Sequence, residues 1–412
     1  MRVGFLHLLS ANIIVQIAGF GGQLFLTRII SVEDIAIVRV LQSYYSILII
    51  AATFGINMSI MKICSEDIEQ NIKKLIFSFG FYISILINVV VMGIFICVVQ
   101  GGFFTAGNGD LEKYLLLYNL QVPFFVLTSI IFAYYHAQNK VKVVSNFQSA
   151  TKLSVIIFSI LLALVWGLQG YIYGSVLCNG IAFFVLFLYV RKELVPISIK
   201  KFHQIDFKTF FSTGTYSFGT NILWQLLLYL NIIMANYMVD DREAIAFYGM
   251  AHLIINTMMM IPMTLNQIMI PYISKEAKNH KQVSVILKSY QRKMLLLILP
   301  LCLITYFLLP PILPYLLGEE YVNSGIYFKI MLAMLFCWSL FSPKMNTLLA
   351  VGKIKYNFYT YCFSIVIYVI LNVILMLQYN MLGAAVAISL TFFITMFINQ
   401  LYYLKYKKQL NY

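Results

Sequence analysis

Six polar side chains interrupt one apolar stretch of this chain: Arg39, Gln42, Ser43, Ser46, Thr53 and Asn57. At about 100° per residue they fall within roughly 100° of one another on a helix, so they form one polar stripe. Hydrocarbon cannot satisfy such groups, and a stripe of this kind must face protein or water. A guanidinium flanked by amides and hydroxyls is equipped to hold a polar, anionic group rather than to break bonds.

The pattern returns in the second half. Gln42 corresponds to His252, Ser46 to Asn256 and Asn57 to Gln267, each 210 positions on. Asn12 and Gln16 share a helical face with Gln23, and their counterparts 209 positions later, Asn221 and Gln225, share one with Asn236. Hydrogen bonds between helices would explain any single case at about 1 kcal/mol per contact. Four such helices in two matched pairs point instead to a water-filled cleft. Arg28, Arg39 and Lys329 are the cations expected in the outer part of a span, although snorkelling to the interface also accounts for such positions. All fifteen Asp and Glu fall in connections or at helix ends, so the cleft has cations without deep carboxylates and suits an anionic ligand. His252 could titrate there or serve as a hydrogen-bonded structural group. Tyr44, Tyr45, Tyr248 and Trp224 lie near the polar faces, where they could stack on sugar rings or simply pack.

The elements that must position these residues follow from composition. The chain has 412 residues, 61% hydrophobic and 11% charged, with mean hydropathy +0.85. A soluble domain carries about 25% charged residues, so this chain must be solvated mostly by lipid. Apolar runs long enough to cross a roughly 30 Å core recur along it. They predict an all-α, multi-pass integral membrane protein of about twelve spans, beginning with Leu8–Ile30 and Ala36–Ile63. The fifth–sixth and eleventh–twelfth turns are expected to be tight. Of the 29 Lys and Arg, twenty-four fall on one side if the N-terminus is cytoplasmic. The positive-inside rule then puts both termini in the cytoplasm.

Internal repetition supports a duplication. Besides the pairs above, Ile35-Ala36-Ile37 is answered by Ile245-Ala246-Phe247 and Gly170-Tyr171-Ile172-Tyr173-Gly174 by Gly383-Ala384-Ala385-Val386-Ala387. The expected organisation is a six-helix lobe over 1–190, a basic cytoplasmic linker over 191–210 and a second six-helix lobe over 211–412. Six spans per lobe is even, so the lobes are parallel repeats, arranged as an inverted V.

Net charge is +14, but its confinement to one side suits anionic lipid headgroups rather than nucleic acid. The six cysteines are scattered, with no CxxC pair, so neither a disulfide framework nor a metal site is expected. No Walker A loop, HExxH, GxSxG or dinucleotide fingerprint is present, and neither enzymatic activity nor a cofactor is indicated.

Several short motifs resemble a known family. Leu26-Thr27-Arg28-Ile29-Ile30-Ser31-Val32-Glu33-Asp34, followed by Phe54-Gly55-Ile56-Asn57, is similar to the opening of the polysaccharide-biosynthesis branch of the multidrug/oligosaccharidyl-lipid/polysaccharide exporters. Tyr248-Gly249-Met250-Ala251, Ile270-Pro271-Tyr272-Ile273-Ser274-Lys275 and Leu382-Gly383-Ala384-Ala385-Val386-Ala387-Ile388 resemble stretches of its second lobe. Within that branch the chain resembles the bacterial O-antigen (Wzx-type) flippases. It departs from the pattern at Ile35-Ala36, where a glycine is usual after the acidic pair, and at Val38, a frequently aromatic position. The resemblance implies flipping of an undecaprenyl-diphosphate-linked oligosaccharide in polysaccharide or lipopolysaccharide biosynthesis. The expected partners are that lipid-linked oligosaccharide, membrane lipids, and the polymerase and chain-length regulator of the same pathway. A cation-coupled small-molecule exporter of the same fold would want a deep carboxylate. A peptidoglycan-precursor flippase would usually carry two more helices. A membrane glycosyltransferase or polymerase would need large outer loops.

Overall fold

With few charges and lipid as solvent, the backbone has to satisfy its own hydrogen bonds, which helices do within each segment. The computed structural model describes residues 15–66, 68–102, 109–138, 140–195, 207–276 and 279–408, and among these it contains helices and no strand. The helices are α1 (Val15–Leu26), α2 (Val32–Thr53), α3 (Ile56–Cys64), α4 (Gln70–Gln100), α5 (Gly109–Asn119), α6 (Gln121–Ala137), α7 (Val141–Val190), α8 (Phe207–Met238), α9 (Arg242–Met258), α10 (Met260–Lys275), α11 (His280–Leu317), α12 (Ser324–Ala350) and α13 (Ile354–Lys408). Among the described residues, nine helical stretches are long and apolar enough to cross a membrane, and Val15–Leu26 is a shorter apolar helix.

Two of those stretches cross twice. At 1.5 Å per residue, the 50 residues of α7 and 55 of α13 far exceed a roughly 30 Å hydrocarbon core. Each folds back on itself at a turn. Gly167 holds φ 56°, ψ −136°, and Asn380 holds φ 50°, ψ −137°. Past the first turn, Ser159 and Ser175 share a hydrogen bond of 3.0 Å; past the second, Ser364 and Thr395 share one of 2.7 Å. With α2–α3, α5–α6 and α9–α10 each counted as one interrupted span and α7 and α13 as two, the described residues make eleven passages, with α1 a shorter apolar helix ahead of them.

The chain divides into two compact units, Met1–Gln225 and Leu226–Tyr412. That break lies inside α8, beyond the expected linker at 191–210. The reason is local: the start of α8 is held by the first unit. Ser59 Oγ donates to the Phe210 carbonyl at 2.6 Å, and the Phe79 ring meets Phe210 edge-on with centroids 5.3 Å apart. Ahead of it, Lys74 Nζ pairs with Glu193 at 3.0 Å and Ser78 Oγ accepts from the Val195 amide at 2.8 Å.

Two expected spans are corrected. The first ends at Leu26 rather than Ile30, so Arg28 lies in the turn before α2, its amide bonded to the Phe25 carbonyl. The second is not continuous: Phe54 and Gly55 take left-handed φ of 47° and 71° and separate α2 from α3. Asn57 therefore belongs to a different helix from Arg39, and the single stripe applies only as far as Thr53.

In the first unit α2 packs against α4, α5 and α6. An aromatic core of Phe77, Phe81, Tyr134, Phe183 and Phe210 fills the half that the charge rule makes cytoplasmic. In the second unit α12 is central, packed on α9, α10, α11 and α13. Helix α11 turns its apolar side chains outward, Phe307 being 70% exposed, as lipid contact requires.

Candidate functional site

Each unit carries a polar network at membrane depth. In the first, Arg39 and Gln42 stand one turn apart on α2. Arg39 is only 4% exposed, and its Nη1 donates to Gln42 Oε1 at 2.8 Å. Gln42 Nε2 in turn donates to the Tyr171 hydroxyl at 3.0 Å. The same hydroxyl accepts from Gln23 Nε2 of α1 at 3.3 Å. Tyr171 stacks on Tyr118 with centroids 6.3 Å apart and planes 13° from parallel. Tyr118 is also met edge-on by Tyr45 at 5.7 Å. Four helices thus meet in one network that reaches the cation through Gln42: α1, α2, α5 and the second passage of α7.

The other hydroxyls of the stripe turn back on their own helix. Ser43 donates to the Arg39 carbonyl at 2.7 Å, Ser46 to the Gln42 carbonyl at 2.8 Å and Thr53 to the Ile49 carbonyl at 2.6 Å. Such back-bonds spend the hydroxyl proton and leave the oxygen lone pairs. Asn57 is half-buried and its Oδ1 accepts from the Met58 amide at 2.8 Å in the first turn of α3.

Beyond Tyr171 the network continues through residues that the sequence reading did not single out. Ser175 donates to the Tyr171 carbonyl at 2.9 Å. Asn179 Nδ2 reaches Gln121 Oε1 at 2.8 Å, and Gln121 Nε2 donates to the Tyr118 carbonyl at 2.9 Å. The available signal was the repeated Gly170–Gly174 segment and the isolated amide of Gln121 in an apolar run.

In the second unit His252, 2% exposed, is caged by rings. Tyr248 stacks on it at 6.0 Å and 17°, and Tyr229 meets it edge-on at 5.5 Å. Asn256 Nδ2 lies 3.3 Å from both ring nitrogens. The Tyr248 hydroxyl accepts from Asn231. Gln42 and His252, paired by the repeat, each interact with a tyrosine of their own unit.

The remaining expected residues are dispersed. Asn12 lies outside the described residues. Gln16, Arg28 and Asn221 are exposed, and Gln225 is half-buried, with its Oε1 enclosed and no hydrogen-bond partner among the described atoms. Gln267 is exposed; the buried amide is its neighbour Asn266, which donates to Ser342 Oγ at 2.8 Å. Lys329 is exposed near the start of α12 with its Nζ over the Tyr306 ring at 5.3 Å. Of the aromatics considered for stacking, Tyr44 is buried near Phe95, Tyr45 packs on Tyr118 and Phe125 and Tyr248 is fully buried.

Comparison with known proteins adds the following. The sequence pattern of the family described as polysaccharide biosynthesis protein matches residues 2–277, and that of MatE matches residues 217–374. A Shigella flexneri protein named as an O-antigen transporter is 26% identical over 292 residues, covering 69% of this chain and 68% of its own. Among solved structures, the lipid II flippase MurJ in an inward closed conformation superposes with TM-score 0.78 at 18% identity, over 95% of this chain and 86% of that one. An inward-facing multidrug resistance MATE family transporter gives TM-score 0.77 at 10% identity, over 96% and 95%. At these identities the structural likeness establishes the fold alone, an all-α arrangement.

Proposed function

Because this chain belongs to the polysaccharide biosynthesis protein family, within the multidrug/oligosaccharidyl-lipid/polysaccharide exporter superfamily, we propose that it flips an undecaprenyl-diphosphate-linked oligosaccharide. The cargo is an O-antigen or similar repeat unit, moved from the inner to the outer leaflet of the bacterial cytoplasmic membrane by alternating access. The chain is a membrane transporter rather than a catalyst, as its relatives are.

Arg39 carries the argument. A charged side chain at membrane depth is costly and is retained where it does work. Here Nη1 donates to the neutral carbonyl of Gln42, a contact that orients the guanidinium without supplying a counter-charge. A diphosphate head with polar sugars and an apolar tail fits such a site, the tail remaining in lipid. Within the first unit Gln42 and Ser46 supply further hydrogen-bonding groups; His252 and Asn256 are proposed contacts of the second unit by itself. Gln16, Asn57, Asn221, Gln225, Gln267, Arg28 and Lys329 remain proposed contacts for other stages of the passage. A cation-coupled exporter is disfavoured because the described acids lie at helix ends or in connections: Glu33 and Asp34 in the first turn of α2, Asp241 at the cap of α9.

The test is complementation of a strain lacking its O-antigen flippase. The wild-type chain is expected to restore surface polysaccharide; Arg39→Ala at equal expression is expected to abolish it, and Arg39→Lys to restore it in part. Full restoration by Arg39→Ala would remove the residue from the site. Physical association with the pathway's polymerase and chain-length regulator belongs to the same proposal and is tested by co-purification from that strain.

A further inference from the structure

A second candidate site lies where the charge rule puts the outer side of the first unit. Between the start of α5 and the second passage of α7 is an open cavity of about 180 Å³. Asp110, Lys113 and Tyr114 line it from α5, and Gln169 and Tyr173 from α7, Gln169 lying just after the hairpin turn at Gly167. The spacing 110, 113, 114 puts the α5 residues on one face of that helix.

The chemistry of this lining is specific. It combines one acid, one base and one amide, so it offers donors and acceptors without a net charge. Two tyrosines add flat apolar faces that end in hydroxyls. A sugar ring has the matching character, with C–H groups on its face and hydroxyls at its edge. The volume is below the 300–1,000 Å³ typical of drug-sized sites, which favours a single ring. Interfacial belts enrich tyrosine on their own, and Tyr173, 41% exposed, would satisfy that rule. A belt does not require an acid, a base and an amide to converge on the same concavity.

The cavity is built on two of the helices that carry the Arg39 network, α5 and the second passage of α7. Leu117 and Ile172, both in its wall, directly neighbour the stacked pair Tyr118 and Tyr171, and Tyr171 receives the hydrogen bond from Gln42. We propose that this pocket binds one neutral pyranose ring on the outer side, as an exit subsite for the saccharide whose phosphate passes Arg39. The identity of that saccharide as lipid-linked cargo rests on the function proposed above; the binding of a sugar ring does not.

Saturation-transfer NMR on the full-length protein in lipid nanodiscs tests this directly. The probes are the methyl glycosides of glucose, galactose, rhamnose and N-acetylglucosamine. Transfer to the ring protons of at least one is expected. It should fall about fivefold in Tyr173→Ala, the loss of one ring contact. A similar fall is expected in Gln169→Ala, a substitution at an exposed position that leaves the helices intact. Absence of transfer from all four, or transfer undiminished in both pocket variants, overturns the proposal. Either result leaves the complementation outcome for Arg39→Ala untouched, so the two readings fail separately.

Discussion

A Cβ placed on Gly55 would stand 2.1 Å from the carbonyl oxygen of Gly214, so the break between α2 and α3 lies backbone to backbone against the start of α8. The same join is closed by Ser59 on Phe210 and by the rings of Phe54 and Phe218, 4.7 Å apart. Gly55 also holds φ of 71°. An alanine there combines left-handed strain of about 1–2 kcal/mol with a clash against backbone that cannot rotate away. Gly55→Ala will lower the thermal unfolding midpoint in detergent by several degrees. Gly214→Ala, whose Cβ would meet Ser59 Oγ at 3.0 Å, will lower it less. Gly93→Ala, with nothing within 4 Å, will not lower it. Equal midpoints for the Gly55 and Gly93 variants would refute the contact.

The two helical hairpins turn through nearly the same backbone angles, but Gly167 does so without a side chain and Asn380 with one. A non-glycine in this region of φ and ψ costs about 1–3 kcal/mol. Part of that is offset by the lower unfolded-state entropy of asparagine relative to glycine. Asn380→Gly will therefore stabilise the protein by about 1 kcal/mol, read as a small rise in unfolding midpoint. Gly383→Ala will act oppositely and more strongly, since its Cβ would lie 1.9 Å from the Leu375 carbonyl oxygen. A drop in the midpoint of Asn380→Gly would contradict the strain.

These hairpins also explain what the sequence made legible. The Gly170 and Gly383 segments match only loosely in side chains, yet both glycines admit the returning helix, with Cβ positions 2.0 Å and 1.9 Å from the carbonyls of Leu162 and Leu375. Apolar runs and interrupting glycines are local features, so helix number and repeat can be read from them. Arg39 and Gln42 could be placed together because one helical turn separates them. Tyr171 could not, since its hydrogen bond to Gln42 spans 129 positions and depends on tertiary packing. Asn57 does not continue the α2 stripe because the 3.6-residue period is lost at Phe54 and Gly55, where the backbone leaves the helix. Counting 210 positions from Asn57 leads to Gln267, whereas the buried amide is its neighbour Asn266, because a shift of one residue moves a side chain about 100° around a helix.

Tyr171 is the residue through which Arg39 is positioned, and its hydroxyl can be removed without removing its ring. Tyr171→Phe leaves the Gln42 and Gln23 amides without their shared acceptor, a loss of about 1–3 kcal/mol at a buried site. Gln42 is then no longer fixed as the partner of Arg39. Surface polysaccharide in the complementation assay will fall several-fold at equal expression. Tyr45→Phe, which keeps its ring contacts with Tyr118 and Phe125, will restore wild-type levels. If both variants behave as wild type, the hydrogen bond has no role in transport.

The same charge argument predicts an electrical driving force. An anionic head moving outward across a membrane that is negative inside gains about 2.3 kcal/mol per charge per 100 mV. A route lined by Arg39 lowers the barrier to that anion without neutralising the charge that is translocated. Collapsing the potential alone, with the pH gradient clamped, will slow flipping of a fluorescent lipid-linked saccharide in vesicles. Collapsing the pH gradient at constant potential will leave the rate nearly unchanged. The reverse pattern would indicate proton exchange as the drive and would move the coupling away from the cation of α2 to a group that titrates.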